Sequence, residues 1–135
     1  MSARWTGPAG GAMVAAYGDL GHRVYTTRLL GGDPRLVLHG GGNTSVKTHV
    51  NDALGNPTHV LCVKGSGWDM GDIAPAGLPA VNLEGLRALR AVDKLSDEDM
   101  VKVQRLNLLD PASPNPSVET LLHAFLPQKF VDHTH

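Results

Sequence analysis

With one cysteine among 135 residues, this chain cannot build a disulfide framework, and the small secreted scaffolds held together by such bridges are excluded. Cys62 sits in the apolar run Val60-Leu61-Cys62-Val63, where a small buried hydrophobe is expected rather than a nucleophile. An excess of charge is missing too: 12 Lys and Arg stand against 13 Asp and Glu, a formal net charge of −1. Without a basic surplus there is no electrostatic ground for binding nucleic acid or an anionic membrane. No apolar run approaches the roughly 18 uninterrupted residues of a membrane span. The N-terminus, with its lone Arg4 and no compact apolar region after it, does not read as a signal peptide. A cytoplasmic location is the default expectation. Neither an internal repeat nor a domain boundary is visible, and the length suits one domain with a real core.

Glycine and proline are plentiful, 16 and 9 residues, which implies several tight turns. Residues 1–16, rich in Gly and Ala, are expected to form a flexible leading segment. Asp19 as a cap, followed by Leu20, Val24 and Leu30, predicts a helix that ends at Gly31-Gly32. Arg35 to His39 reads as a strand running into Gly40-Gly41-Gly42-Asn43. Thr44 to Thr48 returns as a second strand. Turn residues at Asn51-Asp52 and Gly55-Asn56-Pro57 then lead to a third, His59 to Lys64, which stops at Gly65-Ser66-Gly67. Trp68 to Ala80 is a Gly- and Pro-punctuated connection, and Leu86, Leu89 and Val92 predict a short helix over Glu84 to Val92. Ser96-Asp97-Glu98-Asp99 has capping-box spacing. The helix behind it, with Met100, Val103 and Leu106 on one side, is expected to run to about Leu109. Asn115-Pro116-Ser117 is expected to open a last helix with Val118, Leu121, Leu122 and Phe125 as its apolar face, closed by Pro127. Lys129 to His135 reads as a final strand. This order predicts an α/β domain, a mixed sheet covered by helices.

Three stretches carry more than structure. In a strand, residues two apart share a face, so His133 and His135 point together and make half of a metal site, to which Glu119 can add a carboxylate. Blander readings compete: a solvated strand face, a carboxylate placed for the helix dipole, or a surface pair of Glu119 with His123. His39-Gly40-Gly41-Gly42-Asn43-Thr44-Ser45 can turn backbone N–H groups toward an anion, with Asn43 as a side-chain donor. It lacks the G-K-[ST] ending of a nucleotide-binding loop. An esterase would need a G-x-S-x-G elbow, and Lys64-Gly65-Ser66-Gly67-Trp68 lacks both outer glycines. Ser66 between glycines forms a candidate phosphate cup, and the helix start at Ser117 adds free N–H groups.

HGGGNTSVK, VKGSGWD, NPSVETLLHAFLP and FVDHTH, in this order and spacing, resemble the class II aldolase/adducin family. More narrowly, they look like the aldolase part of rhamnulose-1-phosphate aldolases fused to a short-chain dehydrogenase. The resemblance runs from about Tyr17 to His135. It implies a three-layer α-β-α domain around a central, largely antiparallel sheet. It also implies zinc-dependent cleavage of a ketose 1-phosphate into dihydroxyacetone phosphate and an aldehyde such as lactaldehyde, with a non-catalytic, adducin-like scaffold as the alternative. His133 and His135 match the paired zinc ligands, Glu119 the catalytic acid/base, and Asn43, Ser66, Gly67 and Ser117 the residues that hold the substrate phosphate. Val118 stands where many family members carry a second serine. The family's third zinc histidine lies further downstream, so this stretch is expected to be a truncated aldolase domain with little activity alone, and a homo-oligomer when full length.

Overall fold

Turn chemistry between Asn51 and Pro57 builds the centre of the sheet, in a computed structural model that describes residues 18–33, 42–92, 95–117 and 119–133. The Asp52 carboxylate accepts the N–H groups of Leu54 and Asn56, both at 2.9 Å. That turn joins β1 (Asn43–Asn51) to β2 (Pro57–Val63) as an antiparallel hairpin, as expected. Two strands flank it, β3 (Ala80–Asn82) beside β2 and β4 (Phe130–His133) beside β1, in the order β3-β2-β1-β4. All three pairings are antiparallel, so the mixed sheet expected from element order is corrected. The connection from Val63 to Ala80 begins and ends at the same edge of the sheet, since Cys62 pairs with Ala80, and the chain therefore returns instead of crossing over. β3 itself was not expected; a strand of 3 residues shows no periodicity.

The pleat sorts side chains onto two faces. Ser45 opposite Val63 and Lys47 opposite Leu61 put the odd-numbered β1 residues on one side. There α2 (Leu83–Arg87) and α4 (Thr120–Phe125) close a core of Leu61, Val63, Val81, Leu83, Leu86, Leu108 and Ala124. On the other side, α1 (Asp19–Gly31) and the segment around Ile73 and Leu78 cover Val46, Val60 and Cys62, with Val24 contributed by the helix. The expected helix–sheet–helix layering is present. Burial pushes the Cys62 thiol up to about 12, in keeping with an inert hydrophobe.

α1 starts and stops where its sequence predicts, except that Gly18 takes the cap position. Asp19 instead accepts from the Thr48 hydroxyl and pairs with Lys129. Its last residue must be glycine, because a Cβ at Gly31 would lie 2.3 Å from the backbone nitrogen of Gly71. The helix expected over Glu84 to Val92 is α2, continued by a 3-10 turn over Ala88–Ala91. Ser96 caps α3 (Asp97–Leu106), its hydroxyl accepting from Asp99 N–H at 3.1 Å. α3 stops short of Leu109 because Leu108 bridges Val81 and the Leu109 N–H bonds Ala80. Its expected apolar side is also corrected: Leu106 is 77% exposed. Among the described residues no helix is long and apolar enough to cross a membrane. The leading segment 1–16, the strand expected at Arg35 to His39, Gly40-Gly41, Val118 and His135 lie outside the described residues.

Candidate functional site

At the end of the sheet where β1 begins, Asn43 sits opposite His133 of β4. Asn43 is 3% exposed, and its amide donates to the Ser117 hydroxyl. The Ser117 N–H bonds the Lys64 carbonyl at 3.2 Å, Gly65 bridges Pro116, and the Ser66 N–H bonds Asn115 at 2.8 Å. Gly67, with φ of 86°, adopts the left-handed conformation that lets the chain turn away there. Asn43, Ser66-Gly67 and Ser117 thus meet although 74 residues separate the first from the last. The Asn43 carbonyl oxygen is buried without a hydrogen-bond partner among the described residues, the mark of a polar pocket.

Glu119 joins the same face. Alternation along β4 turns His133 toward α4 and Asp132 toward α1, where it pairs with Arg23. The Glu119 carboxylate lies 2.7 Å from His133 Nδ1. Two of the three residues expected to converge therefore do so; the third, His135, lies outside the described residues. The helix start is corrected: α4 begins at Thr120 with Glu119 as its cap residue. Ser117 forms the turn before it, its carbonyl accepting from Thr120 N–H and its hydroxyl from Glu119 N–H. Of the N–H groups expected to be free for an anion at this helix start, those of Ser117, Glu119 and Thr120 are spent inside the protein, which leaves the hydroxyl as the polar handle of Ser117.

Sequence reasoning missed two polar groups of this face. Lys64, 7% exposed, follows β2 directly and precedes the Gly65-Ser66-Gly67 turn. Burial pulls its ammonium pKa down, while Asp69 and Glu119 draw it back up. A lysine closing an apolar strand just before a Gly-Ser-Gly turn was a usable signal. His123 is fully buried, with Nδ1 at 2.6 Å from the Ser45 hydroxyl, and nothing local announced it. The expected face of α4 is corrected in part: Leu121 and Phe125 pack against the core as expected, but Thr120, His123 and Ala124 are the buried residues and Leu122 is 53% exposed. The Glu119–His123 surface pair is excluded by the same burial.

Burial pushes the His123 imidazole from 6.5 down to about 4. It is neutral when folded, whereas the unfolded chain takes up a proton near the ordinary pKa. Stability from this group is therefore complete above pH 6.5 and is lost as pH falls toward 4. The loss should reach about 2–3 kcal/mol. Urea unfolding between pH 7 and pH 4 should show it, and His123→Gln should flatten that part of the profile; an unchanged slope in the variant would assign the acid sensitivity to other groups.

Residues 22–135 match the class II aldolase and adducin N-terminal domain. The chain is 44% identical over 112 residues to YuxG of Bacillus subtilis (strain 168), an uncharacterized oxidoreductase, in a match covering 83% of this chain and 16% of that protein. It superposes with a TM-score of 0.83 and 48% identity on the N-terminal class II aldolase domain of a conserved protein from Thermoplasma acidophilum. That match covers 87% of this chain and 55% of the solved one. The chain thus spans 16% of the length of the curated relative.

Proposed function

Because the chain belongs to the class II aldolase and adducin family, we propose that it forms the aldolase part of a metal-dependent carbon–carbon lyase acting on a ketose 1-phosphate. The observation that carries this reading is the Glu119–His133 pair, set on the sheet face where Asn43 meets Ser117. An adducin-like scaffold has no need of either half. The substrate proposed is rhamnulose 1-phosphate or a close analogue, cleaved to dihydroxyacetone phosphate and an aldehyde such as lactaldehyde. The oxidoreductase name and greater length of YuxG support a dehydrogenase working alongside in the whole protein. We also propose a cytoplasmic homo-oligomer.

The donor set fits a divalent cation, zinc foremost. His133 presents an imidazole whose Nδ1 is oriented by a carboxylate, the arrangement that stiffens a histidine ligand. His135 would be its second ligand. Among the described residues no group of three His, Cys, Asp or Glu is arranged around one point, so the remaining ligand is sought beyond them. When bound, the cation supplies Lewis-acid stabilisation of the charge that develops on the ketone oxygen.

The chain's own groups do the rest. In the cleavage direction a proton leaves the C4 hydroxyl, the C3–C4 bond breaks to release the aldehyde, and a proton is delivered to C3. Glu119 holds and moves the proton at C3. Asn43, the Ser66 and Ser117 hydroxyls and the Gly67 backbone hold the phosphate, with the Lys64 charge behind them. Their binding energy fixes the reacting carbons against the carboxylate.

The test is release of dihydroxyacetone phosphate from rhamnulose 1-phosphate, followed with this chain and with a form extended to the length of its relatives. With the extended form product should appear, vanish with a chelator and return with zinc. Folded, zinc-supplied protein that releases nothing in either form would return the assignment to a scaffold.

A further inference from the structure

A second polar cleft opens at the opposite end of β1, around the sheet edge before β4 begins. It encloses about 260 Å³ and is lined by Lys47, His49, His59, Arg87 and Lys129, with Asp19, Thr48 and Pro127. Lys47 lies four residues along β1 from Asn43, about 13 Å at the usual strand rise. It therefore belongs to neither the Glu119–His133 pair nor the proposed phosphate pocket.

Charge balance makes this cleft unusual. Three cations line it against one carboxylate, Asp19, which is already engaged by Lys129 at 2.9 Å and the Thr48 hydroxyl at 2.8 Å. Lys47 is 4% exposed as a residue, and its ammonium donates to the Gln128 carbonyl. One carbonyl leaves most of its hydrogen-bonding capacity unused, since an ammonium carries three N–H groups. No carboxylate is paired with it; its neighbour is a second cation, Arg87, whose Nε is spent on the Ala124 carbonyl at 3.3 Å. Glu84, largely exposed, approaches Arg87 to 4.0 Å and His59 Nδ1 to 3.6 Å from outside the cleft lining. Burial, followed by the charge of Arg87, pushes Lys47 down to about 8. The His49 and His59 rings stack beside them with centroids 4.4 Å apart.

A buried charge with unused donors beside a second cation is costly unless an anion reaches it. We propose that this cleft is a second binding site, selective for a small oxyanion such as a phosphoryl group, held by Lys47, Arg87 and Lys129 with the stacked His49 and His59 as its wall. The volume suits a phosphate ester of modest size. Position gives the site a consequence. Lys47 also donates its backbone N–H to the Lys129 carbonyl, so an anion there clamps the start of β4, the strand that carries His133.

Titration of histidine-labelled protein with inorganic phosphate, followed by NMR of the imidazole resonances, tests the site. His49 and His59 should shift saturably, and chloride at equal ionic strength should not reproduce the shift. Arg87→Gln and Lys129→Gln remove partly exposed side chains and should each weaken this response about ten-fold. Lys47→Met should abolish it; should that variant fail to fold, the other two decide. The His133 resonance, reporting the substrate site, should keep its own phosphate affinity in both. Unshifted His49 and His59, an equal response to chloride, or unchanged affinity in Arg87→Gln and Lys129→Gln would each overturn the proposal.

Discussion

Glu119→Gln is expected to lower kcat for ketose 1-phosphate cleavage by about 10²–10⁴-fold and to change KM little. Glutamine has the same shape, so its amide oxygen can still accept from His133, as the carboxylate does at 2.7 Å. The Ser117 hydroxyl still accepts the backbone N–H of residue 119, which keeps α4 seated. What is lost is the ability to take up and release a proton. Metal content and thermal stability should therefore match the parent. A variant retaining kcat within about three-fold would remove Glu119 from proton transfer and move that role to another group of this face.

Asp132→Ala should be the most destabilising single change at β4, by about 2 kcal/mol. Arg23 is 2% exposed and reaches from α1 through the sheet edge to the Asp132 carboxylate, 2.6 Å away. Burial pulls the guanidinium pKa down and Asp132 holds it up. Removing the carboxylate leaves a buried cation whose remaining contacts among the described residues are a weak bond to the Ser45 carbonyl at 3.4 Å and the face of Phe130 at 5.6 Å. Asp132 is itself about half exposed, and water reaching the gap keeps the cost below that of a fully enclosed pair. Pairing the change with Arg23→Met should recover most of the loss, because the stranded charge goes with it. Urea midpoints of the two variants check this; a single variant within about 0.5 kcal/mol of the parent would show that the pair is an ordinary surface contact. Zinc affinity should fall in the single variant as well, since Asp132 precedes His133 on the same strand.

Local chemistry decided the element types and several of the site's directions. Asp52 and Gly55 dictate the hairpin turn, Ser96 the start of α3, and Gly31 the end of α1, because each acts on the backbone within a few residues. Strand alternation likewise put His133 and Asp132 on opposite faces before any partner was known. Tertiary structure decided which of those faces is sealed. Nothing near His123 distinguishes it from an exposed histidine, and only the approach of α4 to Ser45 takes it out of water. Lys47 alternates with Val46 and Thr48 as a surface residue would, yet Gln128 and Arg87 close over it from far along the chain. The start of α4 moved to Thr120 because Ser117 bonds Lys64 and Asn43, residues more than fifty positions away, in place of its own helix. Backbone geometry answers to neighbours in sequence, while desolvation answers to whatever packs against a group, and the chemistry of this site follows the second.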